Sequence, residues 1–224
     1  RSCSNWTYPG VLCAQASLRS VDAGFLPLFG GEAVATVPDE VTLASGWLQS
    51  QGFQTALVTS NTFMGAGSGL DRGFEQVAHE ARGDGSWVTD EALAAVAGFS
   101  SETPWYLHAH YFDPHMAYDP PEAYLEGLEG LAEVAYDLTQ PAEYERLYAD
   151  WEGLDAQTQA LLMAHMVVRY RGELRHLDAQ LARLLAEPAV AEALVVVFSD
   201  HGEQFWEHGG LGHGHDLYEE ENRG

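Results

Sequence analysis

Three short clusters carry side chains able to do chemistry: Asp113-Pro114-His115, Ser199-Asp200-His201-Gly202-Glu203, and Glu207-His208-Gly209-Gly210-Leu211-Gly212-His213-Gly214-His215. Each puts carboxylate or imidazole beside a residue that turns the chain. Oxygen and nitrogen donors of this kind grip a hard or borderline divalent cation. The glycines of the third cluster let backbone approach a ligand while the imidazoles point inward. Ser60-Asn61 adds a polar pair after an apolar run. His108 and His110 alternate along a strand and read as core or supporting residues.

The elements needed to position these clusters follow from periodicity. Leu43, Trp47 and Leu48 give Thr42–Gln51 one apolar helical face, stopped by Gly52. Thr55–Thr59 reads as a strand ending at Ser60-Asn61, followed by a loop rich in Gly65, Gly67 and Gly69. Thr89 is expected to cap a helix over Asp90–Ala97. Trp105–Phe112 reads as a buried strand broken by Asp113-Pro114. Residues 116–157, rich in Pro, Tyr and acids, are expected to form loops and short helices laid as a lid over one end. Thr158–Ala186 is the longest helical pattern, ended by Pro188, and Ala193–Phe198 has the continuous apolar run of a strand covered on both faces.

Alternating helices and strands predict an α/β fold, a three-layer α/β/α sandwich around a mostly parallel sheet. Ligands in such sheets collect beyond the carboxyl ends of the strands. Asn61, Asp113, His115, Asp200 and His201 all fall there.

Composition narrows the function. The 224 residues hold 34 acids against 10 basic residues, a formal charge of −24, and every basic residue is Arg. No nucleic-acid partner fits that charge, because phosphates would be repelled. No apolar run reaches the roughly 18 residues of a membrane segment. With 46% hydrophobic residues the chain is globular. Cys3 and Cys13 can pair or stay reduced, so they leave the compartment open. The chain opens at Arg1 without Met and is read as a single catalytic domain over 1–224, incomplete at both ends.

The order and wording of these stretches resemble the sulfatase branch of the alkaline phosphatase superfamily. The matching segments are Ser4-Asn5-Trp6-Thr7-Tyr8-Pro9, Gly69-Leu70-Asp71-Arg72-Gly73-Phe74, His110-Tyr111-Phe112-Asp113-Pro114-His115, Tyr170–Leu185, Phe198–Glu203, Gly212-His213-Gly214 and Leu217-Tyr218-Glu219-Glu220. The resemblance implies a metal-dependent hydrolase of sulfate or phosphate esters, acting on a small-molecule or glycan ester. It places the nucleophile at Thr7, metal ligands at Asp200 and His201 with Thr7 and Asp113 beside them, and ester-holding groups at His115, His213 and Asn61. The cation would be zinc, manganese or calcium. A cation would activate the hydroxyl, and imidazolium would add positive charge on the ester oxygens.

Departures from the family pattern sharpen the expectation. Thr7 stands where a formylglycine precursor would need Cys or Ser, and Gly10 follows Pro9 where Ser is usual. His213 stands in for an absent Lys. These changes favour phosphoester chemistry or an unmodified sulfatase-like site over a formylglycine enzyme. The alternative is a catalytically inactive sulfatase-like domain that binds a partner or glycan. Periplasmic, extracellular and cytoplasmic locations all stay open, as does the oligomeric state.

Overall fold

The computed structural model describes residues 2–24 and 36–222. Its central sheet is parallel, with strand order β2-β1-β3, from β1 (Gln54–Thr59), β2 (Gln76–His79) and β3 (Trp105–His110). In register, Thr59 at the end of β1 lies opposite His79 and His110. Three strands therefore stop at one rim, and the polar residues after them share that edge. The mixed α/β architecture with a parallel sheet agrees with the predicted class.

Helix α1 (Thr7–Ala16), for which no periodicity was read, carries Pro9 and Gly10 near its start. Proline is tolerated in the first helical turn, where its missing N–H has no carbonyl to meet. Tyr8, Val11 and Leu12 are fully buried, and with Trp6, Leu57, Met64 and Leu70 they form the core on one side of the sheet. Cys3 and Cys13 are disulfide-bonded, tying the approach of α1 to its second turn. Helix α2 (Ala44–Ser50) lies within the expected range.

Helix α3 (Gly85–Gly98) starts five residues before the expected Asp90. Asp84 is its cap, its carboxylate accepting from the Trp87 amide at 2.9 Å. Thr89 is instead buried inside the helix, its hydroxyl 3.0 Å from that of Tyr111. Val88, Ala92 and Val96 face Val58 of the sheet and Leu184. β3 ends at His110, two residues early, and only His108 of its six residues is fully buried.

The segment 116–157 contains α4 (Pro141–Asp150) and two short 3-10 turns, Glu122–Tyr124 and Trp151–Gly153. Its Tyr118, Tyr136, Leu138, Tyr144, Leu147 and Trp151 build a second core with α5 (Ala156–Leu185). Helix α5 is capped by Asp155, whose carboxylate accepts from the amides of Gln157 and Thr158. Pro188 opens the short α6 (Pro188–Ala191) two residues beyond the last turn's cap, Ala186.

The expected strand over Ala193–Phe198 is not formed. The run has no regular structure and no strand partner among the described residues, and Leu194 is 93% exposed. A strand exists only through a neighbour's hydrogen bonds, and no described segment supplies them. The apolar composition expressed a demand for burial that says nothing about who meets it. After it come the antiparallel pair β4 (Gln204–Phe205) and β5 (Leu211–Gly212), and α7 (Glu219–Asn222). No helix among the described residues is long and apolar enough to cross a membrane.

Candidate active site

Thr7 opens α1, so its hydroxyl stands at the positive end of the helix dipole. Its Oγ1 lies 3.3 Å from His201 Nε2 and accepts a hydrogen bond from Asn61 Nδ2 at 3.4 Å. Asn61 is itself held by β1's exit turn: its side-chain oxygen accepts from the Phe63 amide at 2.8 Å. The chain segments carrying these three residues lie up to 194 positions apart. The fold alone brings them together.

The His201 tautomer follows from its neighbours. Nδ1 lies 2.8 Å from the Gly202 carbonyl, which can only accept, so Nδ1 carries the proton and Nε2 presents a lone pair. That lone pair faces the Thr7 oxygen and, at 3.6 Å, Asp200 Oδ2. Asp200 Oδ2 is buried without a hydrogen-bond partner. Burial alone would raise the Asp200 carboxyl, but His110 and His201 outweigh it and hold it well below the usual range. One imidazole lone pair and a hydroxyl converging beside a buried carboxylate oxygen make a donor set that fits a divalent cation. A ligating imidazole whose second nitrogen donates to a carbonyl is the usual supporting geometry.

Gly10 explains its own presence. A Cβ there would lie 2.5 Å from the Asp200 carbonyl oxygen, so only glycine lets α1 approach the Asp200 turn.

His213 and His115 complete the cluster. The His213 ring centroid is 3.9 Å from that of His201 and 5.0 Å from that of His115. His213 Nδ1 donates to Glu203 Oε1 at 2.9 Å, and His115 Nδ1 donates to the Met116 carbonyl at 2.5 Å. His115 also stacks on Phe112, centroids 4.2 Å apart. Burial, and for His115 the neighbouring His213, push both imidazoles down to about 4. They are neutral at pH 7, which differs from the expected imidazolium. Glu203 is driven the other way by burial, to about 7.

Of the residues singled out in the sequence, Thr7, Asn61, Asp200, His201, His115 and His213 lie in one connected set. Asp113 does not join it. Its carboxylate faces Glu173 and His176 on α5. Beside Asp113 and His115 lies a cavity of about 230 Å³, lined also by Arg82, Asp84, Asp119 and Glu173 among others. His110, read as a core or supporting residue, lies 3.7 Å from Asp200, and Glu203, for which sequence reading gave no separate role, holds His213. Glu173 and His176 were passed over inside an apolar helix. Their signal was an acid and an imidazole three apart on a stripe that is otherwise buried.

A fold of this kind, with its polar cluster beyond the ends of parallel strands, is a sulfatase fold. The structure of BT4656 in complex with its substrate D-glucosamine-2-N,6-O-disulfate superposes with a TM-score of 0.66 at 16% identity, over 94% of this chain and 59% of that one. The 2-O GAG sulfatase BT1596 gives 0.61 at 14% identity, over 97% and 52%. Ps i-CgsB in complex with k-i-k-neocarrahexaose gives 0.55 at 13%, over 90% and 49%. The chain thus spans between about half and three fifths of these structures' length. A search of curated protein sequences returns no match. The Sulfatase family profile matches residues 2–223, and the chain belongs to that family.

Proposed function

We propose that the protein is a sulfuric ester hydrolase in which an unmodified Thr7 is the nucleophile. The observation that carries this reading is Thr7 Oγ1 at 3.3 Å from the unprotonated Nε2 of His201, beside the partnerless Asp200 Oδ2. Asp200, His201 and Thr7 would hold a divalent cation. When bound, that cation supplies Lewis acidity, lowering the pKa of the hydroxyl and drawing charge from the ester oxygens. Thr7 Oγ1 forms a bond to sulfur as the ester S–O bond breaks. The hydroxyl proton passes to Nε2 of His213, whose ring lies 3.9 Å from that of His201, and the imidazolium so formed returns it to the departing alkoxide. Water then splits the threonyl ester and restores the hydroxyl. Asn61 orients the nucleophile, and Glu203 orients His213 through Nδ1. The sugar substrates named for BT4656 and Ps i-CgsB support a sulfated glycan or monosaccharide as the substrate class.

The test is sulfate release from a panel of sulfated sugars, run with manganese, zinc and calcium, beside phosphate release from matched phosphate esters. Thr7→Ala should lower turnover by about 10³-fold or more, the scale seen when one member of a nucleophile unit is removed. Asp200→Asn should abolish both activity and the metal requirement. Turnover of Thr7→Ala within tenfold of wild type would exclude the threonine. Faster phosphate than sulfate release would transfer the mechanism to phosphoesters. Glycan binding with no turnover of either ester would favour an inactive binding domain.

A further inference from the structure

We propose a second divalent-cation site, formed by Asp113, Glu173 and His176 and separate from the Thr7–Asp200–His201 cluster. These three residues offer ligand atoms that all lie within 4.8 Å of one another. His176 is 2% exposed and Asp113 is 10% exposed at their side chains, so the group is largely buried. The independent sign of a ligand is the state of their inward atoms. His176 Nδ1 and Asp113 Oδ2 are buried and make no hydrogen bond. His176 Nε2 is accounted for, 3.2 Å from Ser86 Oγ. In the tautomer whose Nε2–H donates there, Nδ1 turns a lone pair toward Asp113 Oδ1, 3.5 Å away. Glu173 has one oxygen occupied by the Asp119 amide at 2.7 Å, so its orientation is fixed.

Two carboxylates and a lone pair facing one another in a buried space repel, and a buried charge without a partner is costly. Three arrangements relieve it. A proton on His176 Nδ1 would face Asp113 Oδ1 at 3.5 Å but leave Glu173 against Asp113. A proton shared between Glu173 and Asp113 leaves His176 Nδ1 unpartnered. A cation satisfies all three groups at once. The donor set, two carboxylate oxygens and one imidazole nitrogen, suits zinc or manganese.

The site has a consequence for the rim. Asp113 lies two residues before His115, and Glu173 and His176 sit at the middle of α5. A cation here would clamp the exit of β3 to that helix and so set the position of His115.

The experiment uses the full chain in the Asp200→Asn background, which removes the first cation candidate. Bound Mn²⁺ and, in parallel, Zn²⁺ are measured by equilibrium dialysis in 0.5 M NaCl with excess Mg²⁺ (on the order of one Debye length of 4 Å, to suppress binding to the acidic surface). One equivalent should remain on Asp200→Asn. Adding His176→Ala or Glu173→Gln should weaken it at least tenfold. Glu173→Gln keeps an oxygen for the Asp119 amide, so it serves if His176→Ala does not fold. Near-ultraviolet circular dichroism checks the fold. Absence of the equivalent in Asp200→Asn overturns the proposal in favour of a proton in its place. So does binding that neither second substitution changes. Loss of activity in Thr7→Ala bears only on the catalytic reading and leaves this result standing.

Discussion

At the scale of single residues, the site depends on contacts that no propensity scale records. Gly10 is the clearest. Its absent side chain lets α1 lie against the Asp200 carbonyl, so Gly10→Ala must push two site segments apart. We expect that variant to lose about 2 kcal/mol of stability or more through overpacking, together with most of its activity. Gly46→Ala is the control: nothing lies within 4 Å of its Cβ, and inside α2 it should be neutral or stabilising by up to about 1 kcal/mol. Urea unfolding of the two variants checks the contrast. His108 gives a second prediction. It is buried on β3, its Nδ1 2.6 Å from Gln15 Nε2, and burial followed by His110 lowers it to about 3. The folded state therefore prefers the neutral ring. Its contribution is complete above the unfolded value of about 6.5 and is lost as pH falls toward 3. In that window His108→Gln should show a stability slope shallower than wild type by about 1.4 kcal/mol per pH unit. Parallel slopes in urea melts at pH 6 and 4.5 would contradict this. The donors of the rim were legible because Asp200-His201 and Asp113-Pro114-His115 interrupt apolar runs. The cystine was not, since two Cys ten apart form either state equally well on paper.

At the scale of elements, length governed what could be read. Helix α5 repeats its apolar positions over 30 residues, and its expected limits lie within two residues of those found. Strand β2 is four residues long and mostly exposed, so it carries no alternation to detect. The 194–198 run misled in the opposite sense: strong apolar content without a pairing partner among the described residues. The loop that carries His213 is organised by one residue that sequence reading gave no role. The buried Glu221 carboxylate on α7 accepts from the amides of Gly214, His215 and Asp216 and from Asn5 Nδ2 and Gln204 Nε2, at 2.6 to 3.2 Å. Removing it leaves several buried donors unmet, each worth about 1–3 kcal/mol. Glu221→Ala should lose about 3 kcal/mol or more and release His213 from its place. Glu221→Gln, which keeps one acceptor oxygen, should lose less. Thermal unfolding ranks the pair, and equal losses would show that acceptor geometry is not what matters. Reducing Cys3–Cys13 acts on the other side of the rim. Its closed loop is short, so stability should fall by about 2–3 kcal/mol.

At the scale of the whole molecule, charge sets the conditions under which the rim works. With 34 acids, 10 arginines and no lysine, the chain repels itself and any anionic ester. Arg82 is the one arginine among the residues lining the cavity, beside Asp84, Asp113, Asp119 and Glu173. On the proposed function, a sulfate ester would approach against the molecule's field and be held by the cation that Asp200, His201 and Thr7 would carry. Salt separates these two influences. Screening shortens the reach of surface charge from about 10 Å at 0.1 M to about 3 Å at 1 M, while a buried contact at the cation is screened far less. Added NaCl should raise the unfolding midpoint by relieving self-repulsion. It should also raise kcat/KM for an anionic ester while leaving kcat nearly constant, because only the encounter is affected. Enzymes that steer anions through a basic surface respond in the reverse direction. A kcat/KM that falls with NaCl, measured with the cation at saturation, would mean that a positive field outside the described rim draws the substrate in.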